Sequence, residues 1–358
     1  AAAYIYMATD ATPIFVSSGK SLVDVTIRDL QFGAFSSPGI VADTTGKKAI
    51  GLEGANTGPG AGEAWQFSIE RCRFYNFNVA ITVADMAPGT NPAGDWNISP
   101  ASIRNTTFSY NQIGIVFETE NADAWVFDTC SFYMSFADSI GVWSKRSGFM
   151  TFINTYFNGY NVARESNEAL PVIPPNSTGI LYSGASRDNT TFIGCQAEKL
   201  TNFIAVADTA GSMALWTITL IGCPVESDIS LNADTHFLSI GSRYGGAAVD
   251  GSVWGSVYAT TAGSVIDSVG DTFSSTSVGF AVSGGAQINT ALWTPASPAA
   301  GIGVPTTIIG GVRYYRGAGA PSGDAPVGSQ YTRTDGGVGT TLYVKEVAGA
   351  GAGNWKAK

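Results

Sequence analysis

Hydrolysis of a glycosidic bond needs two carboxyl groups flanking it, about 5 to 5.5 Å apart for retention and roughly 6.5 to 9.5 Å for inversion. The sequence offers acids in a recurring context. Asp85 follows the apolar run Ala80-Ile81-Thr82-Val83, and Glu118 and Glu120 follow Gly114-Ile115-Val116-Phe117. Lys145 and Arg146 follow Gly141-Val142-Trp143, and Asp208 lies just past Phe203-Ile204-Ala205-Val206. If these runs are equivalent strands of successive turns, they stack about 4.8 Å apart. Asp85, Glu118 and Glu120 are then candidate catalytic acids on neighbouring rungs. Repulsion between two such carboxylates raises the pKa of one, while Lys145 or Arg146 holds the other ionised or grips an acidic sugar. The plainer alternative is a set of solvated corner residues. Glu165 and Glu168, in the stretch from Ala163 to Thr178, are the next place to look.

Aromatic side chains supply flat faces for sugars. Tyr75, Trp96, Tyr133 and Trp143, with Lys145 and Arg146, are the candidate substrate-binding residues. The competing reading packs each aromatic on a loop or a neighbouring subunit. His236, the single histidine, has no Ser/Asp motif around it, and no Gly-x-Ser-x-Gly elbow occurs, so serine-esterase chemistry has little support. Phosphate loops, paired His ligands and CxxC spacings are also missing, so neither a metal nor a cofactor is expected.

The elements that must position these residues come from an imperfect internal repeat. An apolar anchor followed three and five positions later by small or apolar residues recurs as Ile27/Leu30/Phe32, Ile69/Cys72/Phe74, Ile103/Thr106/Phe108, Phe127/Cys130/Phe132, Phe152/Thr155/Phe157, Phe192/Cys195/Ala197 and Leu220/Cys223/Val225. Anchor spacings run from 24 to 42 residues, as one solenoid turn plus inserted loops would give. Strict alternation without a helical period excludes helical and leucine-rich repeats. All four cysteines fall at the third position, so Cys72, Thr106, Cys130, Thr155, Cys195 and Cys223 are expected in one inward line as small buried groups. Cys72 and Cys130, two turns apart, are too distant for a disulfide. An outward column of Arg28, Glu70, Arg104 and Asp128 reads as an ion-pair ladder, with a substrate contact as the second reading. The insertions from Gly33 to Ala64, Asp85 to Ile98 and Ala163 to Thr178 would wall a groove or a subunit interface.

Composition bounds the rest. Only 13% of the 358 residues are charged, Gly numbers 44 and the net charge is −9, which fits a β-rich protein and argues against nucleic acid as a partner. No run of eighteen apolar residues occurs, so membrane insertion is not expected. The start, Ala1-Ala2-Ala3-Tyr4, lacks a basic leader and an initiator Met and reads as a fragment with upstream sequence removed. The expected division is a parallel β-helix over 1–245, a Gly/Ser-rich β region over 246–312, a linker over 313–327 and a hairpin tip over 328–358.

Two stretches resemble a known family. The segment from Ala325 through Gln330-Tyr331-Thr332-Arg333-Thr334-Asp335-Gly336-Gly337 and Leu342-Tyr343-Val344-Lys345 to Trp355 resembles the C-terminal tip of phage tail fibre and tailspike proteins. Ser21 to Phe32 looks like a turn of the pectate-lyase-like β-helix of tailspikes. The resemblance implies an all-β fold, a right-handed single-stranded parallel β-helix, assembled as a homotrimer on a virion. It implies binding of a bacterial surface polysaccharide (capsule, exopolysaccharide or O-antigen) and commonly depolymerase activity, by hydrolysis or elimination, on the host surface. No family catalytic motif matches. A non-catalytic receptor-binding spike and a purely structural fibre segment are the alternatives. The trimer is also expected because a two-strand tip is too small to bury Tyr331, Leu342, Tyr343 and Trp355 alone.

Overall fold

A computed structural model describes residues 3–7, 15–16, 22–34, 48–54, 64–85, 100–118, 122, 124–145, 149–161, 163, 167, 172–183, 189–207, 216–245, 255–261, 263–273, 280–283, 286–295, 305–309, 312–323, 325, 327–337, 341–349 and 351–358. Alternating apolar residues in short runs become strands, and the strands coil into a parallel β-helix with three ladders. The first ladder stacks Thr26–Arg28, Phe67–Glu70, Ala101–Arg104, Trp125–Asp128, Met150–Ile153, Asn189–Ile193, Trp216–Ile221, Thr235–Ile240 and Val265–Phe273. The second holds Leu30–Ala34, Arg73–Tyr75, Thr107–Ser109, Ser131–Met134, Tyr156–Gly159, Gln196–Glu198, Pro224–Val225 and Arg243–Tyr244. The third, running from Lys48–Gly54 and Val79–Asp85 to Val257–Ala259 and Phe280–Val282, contains the second apolar run of each turn.

The repeat register is the strand register. Ile27, Ile69, Ile103, Phe127, Phe152, Phe192 and Leu220 are successive partners, and Ser239 and Ser268 continue the column. Phe32, Phe74, Phe108, Phe132 and Phe157 stack face to face with centroids 4.9, 5.0, 4.6 and 5.2 Å apart, the spacing of the strands themselves. Burying each such ring stabilises the helix by about 1.5–3 kcal/mol, and offset stacking adds roughly 0.5–1.5 kcal/mol.

The third-position line is inward as expected: Cys72, Thr106, Cys130, Thr155, Cys195 and Cys223 are all buried. Each thiol donates to the anchor carbonyl one turn earlier: Cys72 to Ile27, Cys130 to Ile103, Cys195 to Phe152 and Cys223 to Phe192. A small side chain with one weak donor suits the position, and Thr155 uses its hydroxyl the same way. Burial pushes the Cys130 thiol up to about 12, which keeps it protonated and inert. The line continues beyond the sequence repeat to Ser242 and the buried carboxyl of Asp271, whose Oδ1 accepts the Ser242 N–H at 2.7 Å.

Between the first and second ladders each turn passes one left-handed residue: Asp29, Arg71, Asn105, Thr129 and Asn154, then Gly194, Gly222, Gly241 and Gly270, with φ from 48° to 70°. A non-glycine residue there costs roughly 1–2 kcal/mol, so the switch to glycine relaxes the later corners.

Past the helix the pairing becomes antiparallel, Gln287–Pro295 with Pro305–Ile309, and Pro305–Ile309 in turn with Val312–Gly317. Val312–Gly317, which runs into the stretch read as a linker, pairs in parallel with Gln330–Arg333, which forms the expected hairpin with Leu342–Lys345. Trp355–Ala357 adds an outer strand. These extra strands correct one expectation: Tyr331 and Trp355 are 2% and 3% exposed within a single chain, packed with Tyr315 and Ala325, so the tip does not require three copies to enclose them. No helix among the described residues is long and apolar enough to cross a membrane.

Candidate functional site

Alternation places Phe132, Phe157, Ala197 and Val225 of the second ladder inward and turns their neighbours outward, Asn158 among them being covered by its surroundings to 8% exposure. One outer column reads Tyr75, Ser109, Tyr133, Asn158, Glu198 and Glu226 on successive turns. Tyr75 and Tyr133 thus share a column, two turns apart. Tyr133 is 36% exposed and meets Tyr156 edge to face, and Tyr75 meets Tyr110 similarly.

Next to Tyr133 the column becomes polar. Glu198 Oε1 accepts the Tyr156 hydroxyl and the Asn158 amide, the latter at 2.6 Å, and Oε2 accepts Gln196 Nε2 at 3.4 Å. Burial, then the Glu198 acceptor, raises the pKa of the Tyr156 phenol, so it remains a donor at neutral pH. Glu226 occupies the equivalent position one turn on, its N–H donating to Ala197 O at 2.7 Å, and Arg243 lies 4.0 Å from its carboxylate. Glu198 and Glu226 are therefore carboxylates in register on adjacent rungs, with strands about 4.8 Å apart. Neither follows the second apolar run of its turn, the context in which Asp85, Glu118 and Glu120 stand out in the sequence. The signal was present: Glu198 and Glu226 each stand three residues after a third-position cysteine.

The third ladder gathers other expected residues. Phe117 pairs with Ser144, so Glu118 and Lys145 are equivalent positions on adjacent turns, and Lys145 Nζ bonds Glu118 Oε1 at 2.5 Å. The ammonium also lies 4.2 Å from the Trp143 ring centroid, and the indole N–H donates to Ser183 Oγ at 2.7 Å. Val83 pairs with Phe117 and the Glu118 N–H donates to Val83 O, so Glu118 is in register with Ala84, and Asp85 lies one residue farther along the chain. Only the backbone of Asp85 is described. Trp96, Glu120, Arg146, Glu165, Glu168 and Asp208 lie outside the described residues.

On the first ladder Arg28, Glu70, Arg104 and Asp128 are successive partners, and the tightest ion pair beside them joins the corner residues Arg71 and Asp29 at 2.7 Å. The same outer column then changes character: Ile153, Ile193, Ile221, Ile240 and Val269 follow on successive turns, the last four 38–47% exposed. The glycine corners beside it leave open space at Gly222, Gly241 and Gly270. His236, without a motif in sequence, meets Asp267 of the next turn at 2.8 Å.

No protein-family model matches the chain, and no curated protein sequence matches it. Among solved structures, tailspike protein 3 of bacteriophage CBA120 is similar at a TM-score of 0.42 and 10% identity, over 99% of this chain and 58% of that one. The chain spans little more than half the length of that tailspike, and the assignment of the fold rests on the strand register itself.

Proposed function

We propose that this β-helix is a phage tail receptor-binding spike that holds a bacterial surface polysaccharide along the outer face of its second ladder and cuts it there. The observation that carries the reading is the Tyr133–Tyr156–Asn158–Glu198 cluster with Glu226 on the next turn. Exposed aromatic faces pack on the C–H faces of sugars, and amide, phenol and carboxylate groups exchange hydrogen bonds with sugar hydroxyls. Strands fix this outer surface more firmly than loops would. For cleavage, Glu198 and Glu226 are the carboxylates in register, and Asp85, Glu118 and Glu120, with Trp96, Trp143, Lys145 and Arg146, are the second candidate set.

A non-catalytic binder is the second reading, favoured by the closing of Glu118 on Lys145 and by the donors already engaged with Glu198. The assembly is a homotrimer on the virion that acts outside the host cell. Its support is the aliphatic ridge from Ile153 to Val269, an exposed apolar stripe of the kind a subunit contact buries.

Incubation with purified capsule or O-antigen, with chain length and new reducing or unsaturated ends measured, tests the reading. Glu198→Gln and Glu226→Gln should each lower depolymerisation by orders of magnitude with binding retained. Loss only in Asp85→Asn or Glu118→Gln moves the chemistry to the third ladder. Binding without shortening in the parent protein leaves the binder, and no binding to any host glycan refutes the proposal.

A further inference from the structure

Of the four cysteines on the inward line, only Cys195 and Cys223 are neighbours. Ile193 pairs with Ile221 and Ala197 with Val225, which sets Cys195 directly against Cys223 on the next turn. Thr106 separates Cys72 from Cys130, and Thr155 separates Cys130 from Cys195. Both thiols of the pair are free and fully buried. Adjacent strands lie about 4.8 Å apart, inside the roughly 4.4–6.8 Å range of Cα separations that a disulfide spans. The two other pairings along the line stand at about twice the strand spacing, beyond the roughly 7 Å limit for a bridge.

We propose that Cys195 and Cys223 are a latent disulfide site, a pair that low-molecular-weight disulfides convert to a covalent staple between consecutive turns of the β-helix. The two sulfurs face each other on adjacent turns, so ionisation of one holds the proton on the other. The exchange can begin at either sulfur, for instance at Cys223. Its thiolate attacks one sulfur of the small disulfide, forming a mixed disulfide and expelling one thiolate. The Cys195 thiolate then attacks the Cys223 sulfur, closing the protein disulfide and expelling the second thiolate. The two protons of the protein thiols end on the two released small thiols, and the small disulfide is the oxidant reduced. Because both sulfurs are buried, the first step awaits local opening of a turn. The staple would tie two consecutive turns of the helix at neighbouring positions of the inward line.

The full-length protein is incubated at mildly alkaline pH with 2-hydroxyethyl disulfide, quenched in denaturant with an alkylating agent, and mapped by peptide mass spectrometry. The expected product is lighter by two hydrogens, with the Cys195 and Cys223 peptides linked and Cys72 and Cys130 alkylated. In Cys223→Ser, a residue type the same line already accepts at Ser242, Cys195 should stop at the mixed disulfide. Four alkylated cysteines after prolonged incubation just below the melting temperature would overturn the proposal. So would a stable mixed disulfide on either residue of the parent protein, or a link through Cys72 or Cys130.

Discussion

Asp271 is the point where the inward line ends on a carboxyl group, and replacing it separates hydrogen bonding from charge. The side chain is 1% exposed; Oδ1 accepts the Ser242 N–H at 2.7 Å and Oδ2 accepts the Ser268 hydroxyl at 2.5 Å. Asp271→Ala removes both acceptors and strands a buried backbone N–H, at a cost of about 1–3 kcal/mol for each unsatisfied group. Asp271→Asn keeps an oxygen for Ser242 and turns an amide donor toward the Ser268 oxygen, so its cost should stay within about 1 kcal/mol at neutral pH. Burial raises the Asp271 pKa above 3.8, more than its hydrogen bonds lower it. A raised acid gives stability that is complete below the unfolded pKa and lost as pH rises through the folded one. The Asn variant should therefore gain on the parent protein as pH rises from the unfolded carboxyl range through the folded Asp271 pKa, with a residual slope of the same sign from Asp228, also raised by burial. Hydrogen exchange of the amides in 235–245 and 265–273 reads the local opening energy. A loss of about 2–6 kcal/mol in Asp271→Ala, from the two donors left without an acceptor, corresponds to roughly 30- to 20,000-fold faster exchange, at about 1.4 kcal/mol per tenfold. Equal exchange in the Ala and parent proteins, or an Asn variant as fast as Ala, would refute the reasoning.

A Cβ on Gly141 would meet the Gly179 carbonyl oxygen at 2.6 Å, so Gly141→Ala should cost roughly 1–3 kcal/mol in thermal or denaturant unfolding. Gly222→Ala meets open space and should cost only the left-handed backbone penalty, about 1–2 kcal/mol. Ile221→Lys puts a charge on the exposed aliphatic ridge, and light scattering should show weakened self-association with unchanged circular dichroism. Lys345 is fully buried, donates to the Gly323 and Gly349 carbonyls and lies 5.3 Å from the Trp355 ring centroid. Lys345→Met should destabilise the tip by about 1–3 kcal/mol, read as an earlier change in Trp355 fluorescence with the helix signal intact.

What the amino-acid sequence determined by itself is the coil and its inward faces. Anchors such as Ile69, Ile103 and Phe127 recur with fixed offsets to Cys72, Thr106 and Cys130, and alternation leaves only one way to bury them. The inward line was legible because a solenoid repeats the same packing problem each turn, and the tip hairpin because its strands flank a glycine-rich turn. Tertiary structure decided which outward residues meet. Glu198 and Tyr156 are 42 residues apart in sequence and share a hydrogen bond, because insertions of unequal length separate equivalent positions. For the same reason Glu118 falls opposite Ala84 and Lys145, with Asp85 one position out of step, although all follow similar apolar runs. Burial constrains inward residue types strongly, whereas the outer face tolerates nearly any polar residue. Its chemistry is written in strand register, which becomes readable only when the turns are stacked.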